Sequence, residues 1–304
     1  MRFQGLDLNL LVALDALLTE QNVSTAAGKV HLSQSAMSGA LNRLREFFRD
    51  ELLVATGRRM VLTPRAEQLA EPVRAALLQI KNTITTRPEF DPAASDRSFT
   101  IVVSDYATIV AVAAGLRVIG REAPRMRFRQ VQVDAVTGEW IDRGEADFLV
   151  TLEPYVSSAH PSTPLFEDDY VVVAWSQNRR IGEALDEDVY FALGHVGVEL
   201  GSARSTVFDA WYLQSGKRRR RIEVTASSFT VVPFLVIGTD RITTMHRRLA
   251  TLFAATLPLR IFPAPFELPP VRQMLQWHRL NEADPATLWV RDRLVEAAGG
   301  GQPG

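Results

Sequence analysis

The residues best placed to do chemistry on another molecule lie in one short block. Ser33, Gln34, Ser35 and Ser38 are followed within two helical turns by Asn42, Arg43 and Arg45. A glutamine carboxamide can pair through two hydrogen bonds with the edge of adenine, while serine hydroxyls contact phosphate or base with little preference. Ser24 stands upstream, and Arg58 and Arg59 follow Gly57 at a turn, where a basic tip suits a sugar–phosphate backbone. From Ser24 to Arg59, Lys29, Arg43, Arg45, Arg49, Arg58 and Arg59 outnumber Glu46, Asp50 and Glu51. The positive excess is local, because the whole chain carries a formal net charge of −1. This combination predicts a DNA-reading module and excludes a globally basic, histone-like binder.

A second set of polar and aromatic residues lies at predicted strand ends. Ser104, Asp105 and Tyr106 follow one strand, Thr151 and Glu153 end another, Ser202 and Arg204 open a predicted helix, and His246 and Arg247 follow a further strand. Small ligands of open α/β sheets collect at such ends, where helix N-termini offer free N–H groups. For an aromatic acid, a helix N-terminus and Arg204 would take the carboxylate, with Tyr106 and Phe208 against the ring. His160 is a further candidate. Each has a plainer alternative: Ser104 and Ser202 as helix caps, Arg204 paired with Glu199 or Asp209, His160 as a hydrogen-bonded structural residue. The basic run 217–221 reads as a solvated surface, and Phe266 and Trp277 as core.

Catalysis is not indicated. The chain has no Gly-x-Ser-x-Gly, no phosphate-binding Gly-rich Lys-Ser/Thr loop and no His-Glu-x-x-His, and its five histidines are scattered. Cysteine is absent, so disulfides, thiolate metal sites and a cysteine nucleophile are excluded. No cofactor or metal is expected. The N-terminus does not read as a signal peptide, and no apolar run approaches the roughly 20 residues of a membrane span. The expected setting is the cytoplasm. With 46% hydrophobic and 23% charged residues over 304 positions, the chain can build more than one core.

The elements that must position these residues follow from periodicity. Leu10, Leu14 and Leu17 mark a first helix, Val23 to Val30 a short second one with Ser24 or Thr25 as cap, and Ser33 caps a third running to about Phe48. Leu52–Val54 and Met60–Leu62 flank a hairpin turn. Thr63-Pro64 starts a long helix carrying Leu69, Val73, Leu77 and Ile80. Pro88 to Arg97 reads as a boundary. Strands are predicted at 99–103, 127–133, 147–152, 170–175, 196–199, 222–225, 241–244 and 259–262. Helices are predicted at about 105–121, 136–143 and 286–298. This alternation implies βαβ units and a parallel sheet.

Ala26-Ala27-Gly-Lys-Val30-His-Leu32-Ser33-Gln34-Ser35-Ala36-Met37-Ser38 resembles the helix-turn-helix signature of the LysR-type transcriptional regulators, and Leu62-Thr63-Pro64-Arg-Ala66-Glu67 resembles their entry into a linker helix. Many members have Leu-Glu after the recognition helix, where this chain has Arg43-Leu44-Arg45. That variant resembles the subgroup of nodulation and aromatic-catabolism regulators, as do Leu6–Leu10, Ser104–Tyr106, Ala159–Pro161 and Thr244–Ala250. The resemblance implies an α/β protein with an all-α-plus-wing N-terminal domain: a winged helix-turn-helix at about 1–63 and a linker and dimerisation helix at about 64–87. It also implies an effector-binding domain at about 88–304, built as two Rossmann-like subdomains similar to type 2 periplasmic binding proteins. Their expected extents are about 88–167 with about 268–304, and about 168–267. It further implies double-stranded DNA, a small-molecule inducer and RNA polymerase as partners, and a homotetramer built as a dimer of dimers that activates transcription. A solute-binding or scaffold protein is the alternative, and an enzyme a more distant one; a gel shift separates them.

Overall fold

The computed structural model describes residues 2–3, 6–57, 59–85, 90–134, 137–200, 204–205 and 218–299. The chain divides into two compact units, Met1–Arg87 and Pro88–Gly304.

In the first unit a two-residue strand pair, Arg2–Phe3 with Leu6–Asp7, precedes α1 (Leu8–Glu20), α2 (Val23–Lys29) and α3 (Gln34–Phe48). The strands β1 (Leu53–Thr56) and β2 (Arg59–Leu62) form an antiparallel hairpin, and α4 (Pro64–Thr85) follows. Each early helix has a side-chain cap: Asp7 accepts from Asn9 N–H, Asn22 from Thr25 N–H, and Ser33 from Ala36 N–H. The cap of α2 is therefore Asn22, two or three residues ahead of the expected Ser24 or Thr25. Leu14, Leu17, Met37, Leu41 and Leu44 are buried in one core with Ala26, Ala27 and Leu53. Burying each large side chain contributes roughly 1.5–3 kcal/mol. The two alanines allow α2 to lie close to its neighbours. Gly57 turns the hairpin at φ +64°, a value suited to glycine.

The second unit has two halves. In the first, β3 (Ser98–Val102) leads through a helical turn, Asp105–Ala107, and a π-helical turn, Thr108–Val112, into α5 (Ala113–Glu122). Then come β4 (Arg127–Val131), a 3-10 turn at Thr137–Trp140, β5 (Phe148–Leu152) and β6 (Ser162–Asp168). In the second half, β7 (Tyr170–Trp175), α6 (Glu187–Ala192), β8 (Gly194–Leu200) and the short strand Arg204–Ser205 precede β9 (Arg221–Ala226). α7 (Val232–Val236), β10 (Ile242–His246), α8 (Arg247–Ala254) and β11 (Leu259–Pro263) complete it. The chain then returns to the first half with β12 (Val271–Trp277) and α9 (Pro285–Gly299).

The first sheet runs β4-β3-β5-β12-β6, and the second runs from Arg204–Ser205 through β8, β10 and β7 to β11, with β9 also on β8. Both are mixed, which corrects the expected parallel sheet. β3 pairs parallel with β4 and β5, whereas β12 pairs antiparallel with β5 and β6, and β7 antiparallel with β10 and β11. Strands β6 and β12 had no clear signal. Pro164 interrupts β6, tolerable because β6 is an edge strand with an irregular register opposite Gln273/Met274. In β12 the buried side chains include Gln273 and Gln276, which breaks an apolar alternation. The helix expected at 136–143 is the 3-10 turn at Thr137–Trp140, and a strand, Arg204–Ser205, stands where a helix was expected to open.

Candidate functional site

In the first unit, α3 sorts its side chains by face. Met37, Ala40, Leu41 and Leu44 are buried, while Gln34, Ser35, Ser38, Asn42 and Arg43 are exposed. Gln34, Ser38 and Asn42 recur every four residues and so form one polar edge. Ser33 fixes the start of that edge: its Oγ accepts the Ala36 N–H at 3.2 Å and lies 3.0 Å from the Ser35 hydroxyl. Ser24 is exposed on α2 and Arg59 on the hairpin. Arg43 keeps a long bond, 3.4 Å, from Nε to the Gly39 carbonyl. Arg58 lies outside the described residues.

Arg45, expected among the DNA contacts, is turned inward. Its Nε donates to the Glu51 carbonyl at 2.8 Å and its Nη2 to the Leu53 carbonyl at 3.0 Å, with the Glu51 carboxylate 3.2 Å from Nε. The guanidinium thus straps the hairpin onto α3. Lys29 pairs with Glu20 at 3.0 Å. A second strap was not anticipated. Asp50 Oδ1 accepts from Leu52 N–H at 2.7 Å and from the Thr63 hydroxyl at 2.6 Å, and Thr63 Oγ1 in turn accepts the Ala66 N–H of α4. The hydrogen bond from Thr63, then that from Leu52, holds the Asp50 carboxyl below the usual carboxylate range. The signal available in the sequence was Thr63 as a helix cap; its partner Asp50, thirteen positions upstream, had none.

In the second unit the structure brings Tyr106 and His246 together and separates other candidates from them. The Tyr106 and His246 rings stack at 3.7 Å and 8°, both buried. The Tyr106 hydroxyl donates to Asp168 Oδ2 at 2.6 Å. Phe166 and Phe229 meet the Tyr106 ring edge-on, and Tyr170 lies 5.0 Å from His246. Burial pushes the Tyr106 hydroxyl well above its ordinary pKa and the His246 imidazole down to about 3, so His246 is neutral. Burial also raises the Asp168 carboxyl, against hydrogen bonds from Tyr106, Asp169 and Arg248. Arg248 lies with its guanidinium 4.9 Å over the Phe166 ring.

Ser104 caps the Asp105–Ala107 turn through Ala107 N–H at 3.2 Å, the plainer of its two readings. His160 belongs to another cluster: Nε2 lies 2.8 Å from Asp142, Nδ1 accepts the Arg279 N–H, and its ring is 4.8 Å from that of His278. With Nδ1 as acceptor, the Nε2–H is the donor to Asp142. Gln276 closes this loop by donating to the Ser157 and His160 carbonyls. His160 is thus hydrogen-bonded structure. Thr151 sits half-buried in β5 opposite Met274. Trp277 and Phe266 pack in cores. Ser202 and Phe208 lie outside the described residues, and of Arg204 only the strand is described. A separate cavity of about 770 Å³ lies at the far end of the second half, lined by Trp175, Asn178, Arg179, Asp240 and Arg260 among others, and holds none of the predicted site residues. Among the described residues no group of three or more metal-ligating side chains occurs, and no helix is long and apolar enough to cross a membrane.

Comparison with known proteins matches this division. Residues 8–67 match the bacterial regulatory helix-turn-helix protein of the lysR family, and residues 92–299 match the LysR substrate binding domain. Nodulation protein D 1 of Rhizobium leguminosarum bv. phaseoli is 45% identical over 298 residues, covering 98% of this chain and 95% of its own. Nodulation protein D of Bradyrhizobium sp. (strain ANU 289) is also 45% identical, covering 98% and 88%. A probable transcriptional regulator from Pseudomonas aeruginosa superimposes with a TM-score of 0.65 at 33% identity, over 96% of this chain and 97% of the other. A full-length OxyR variant from Pseudomonas aeruginosa shares the fold, with a TM-score of 0.72 at 14% identity, over 97% and 95%. With a polar-edged helix-turn-helix ahead of a two-half α/β unit, and profile matches across both, the chain belongs to the LysR family of bacterial transcription regulators.

Proposed function

We propose that this regulator is an inducer-responsive activator, reading its operator with Ser24, Ser33, Gln34, Ser35, Ser38, Asn42 and Arg43 on the helix pair and with Arg58 and Arg59 on the wing. The observation that carries the reading is the polar edge of α3, exposed while the opposite face of the same helix is fully buried. Gln34 and Asn42 supply base contacts, and the arginines phosphate contacts. Arg45 acts through the wing that it holds.

The chain works as a homodimer assembled further into a tetramer. Support comes from the later turns of α4: Val73 and Leu77 pack on the core of their own unit, whereas Ile80 and Ile84, continuing the heptad-like spacing, are exposed, Ile84 by 77%. A dimer brings two reading helices to a two-fold operator. The effector is a small aromatic molecule, a reading supported by the ring-rich region around Tyr106, Phe166, Phe229 and His246. RNA polymerase is the activation partner and the cytoplasm the site of action.

The test is a gel shift on DNA from upstream of the chain's own gene, run against salt and repeated with a panel of aromatic acids, phenols and flavonoids. The reading expects a sequence-specific, salt-sensitive complex whose mobility or footprint changes with one class of compound. A complex equal on all DNA sequences would contradict it.

A further inference from the structure

The two halves of the second unit are joined by two crossings. The first is a single residue, Asp169, between β6 of one sheet and β7 of the other; the second is residues 264–270 between β11 and β12. Beside the first crossing, two consecutive side chains of the first half reach into the second. Asp105 Oδ2 accepts from the Ser228 hydroxyl at 2.7 Å and the Thr230 N–H at 2.9 Å. Tyr106 stacks on His246 of β10 and donates to Asp168. Asp168 also accepts the Arg248 N–H at 3.2 Å, at the start of α8, and Asp169 holds Arg247 through two bonds of 2.7 and 2.9 Å. One carboxylate at the crossing is therefore shared by a hydroxyl from one half and a helix N-terminus from the other.

We propose that Asp105 and Tyr106 form a two-point lock that holds the halves in one closed arrangement, poised against an open one. Three features support a poised lock over ordinary packing. The closed form leaves Asp105 Oδ1, His246 Nδ1 and Arg248 Nη1 enclosed without hydrogen-bond partners, so the arrangement that makes the lock also carries unmet polar groups. The lock residues lie in the helical turn Asp105–Ala107 that leads into the π-helical turn Thr108–Val112, a local irregularity that recurs at functional positions in helices. Finally, Asp105 and Tyr106 belong to the first half while Ser228, Thr230 and His246 belong to the second, so a relative rotation large enough to carry one pair out of reach separates the other as well. Regulation through the lock rests on the effector-responsive reading above; the lock itself does not.

The test uses the full chain without any effector, so its outcome is separate from that reading. Because the chain has no cysteine, Arg121→Cys on α5 and Arg180→Cys in the second half, both exposed, give one spin-label pair per chain. Labelled protein is diluted into unlabelled protein, and the distance distribution is measured by double electron–electron resonance. The lock predicts a single dominant distance in the parent, and a second population of about a tenth or more in Asp105→Ala/Tyr106→Phe. An unchanged distribution in a variant that still melts cooperatively overturns the proposal. Should the double variant fail to fold, Tyr106→Phe and Asp105→Asn are examined singly by amide exchange. The lock predicts exchange at Thr230 and Arg248 faster by about tenfold, and unchanged exchange overturns it.

Discussion

Replacing Arg45 with glutamine separates a bracing role from a DNA contact. The substitution removes two charge-assisted hydrogen bonds to the Glu51 and Leu53 carbonyls, together with the ion pair to Glu51. Hydrogen bonds to a charged group are worth about 1.5–3 kcal/mol each when shielded. The guanidinium is 29% exposed, so water replaces part of that loss and the net cost falls to about 2 kcal/mol. For a unit of this size, 1 kcal/mol moves a melting midpoint by about 4–8 °C, giving a drop of about 8–16 °C in the first transition. Differential scanning calorimetry reads that drop. The second readout is the slope of log K against log salt on operator DNA, to which each phosphate contact contributes about −0.9. Arg45→Gln should leave the slope unchanged, while Arg43→Gln and Arg59→Gln each flatten it by about one contact. A melting point that stays put while the Arg45→Gln slope flattens would refute the reasoning.

Three further predictions follow from the same structure. Thr63→Val removes both the cap of α4 and the clip to Asp50, and should cost about 1–2 kcal/mol in a denaturant titration with the slope m unchanged. His195 and His246 are held neutral by burial, with pKa values of about 4 and about 3 against 6.5 for a free imidazole. Below pH 6.5 the unfolded chain binds the extra protons, so stability falls as the pH is lowered toward 4, by up to about 3 kcal/mol per pH unit for the two together; urea midpoints between pH 7 and pH 4.5 measure it, and His246→Phe should flatten the dependence. Gly115→Ala places a methyl 2.8 Å from Leu294 Cδ2 and 3.1 Å from its Cα, forcing α5 away from α9 and costing about 1–3 kcal/mol in the second thermal transition.

The reading helix was legible because its signals are local. Ser33 caps the segment it was expected to cap, and the apolar positions Met37, Leu41 and Leu44 separate from the polar ones by helical period alone. Arg45 was not legible, since an arginine on a helix next to a basic hairpin looks the same whether it faces phosphate or a carbonyl eight residues away. In the second unit, strand ends marked Tyr106 and His246, but not that they face each other across 140 positions of sequence. Their meeting depends on two crossings between sheets, and on strands β6 and β12, whose Pro164, Gln273 and Gln276 suppress the usual alternation. His160 illustrates the reverse case: its polar loop suggested a ligand, while the Arg279 N–H and Asp142 carboxylate already occupy both ring nitrogens.

The most direct measurement places a chemical blade on α3 itself. Ser38→Cys, the sole thiol in the chain, carries an iron chelate into a complex with operator DNA, and the cleavage pattern is mapped on both strands. Cuts focused in the major groove of two half-sites, about 10 base pairs or a multiple apart, are the predicted result. Diffuse cutting, no stronger than from a chelate at Arg121→Cys in the second unit, would contradict the claim that this edge reads bases.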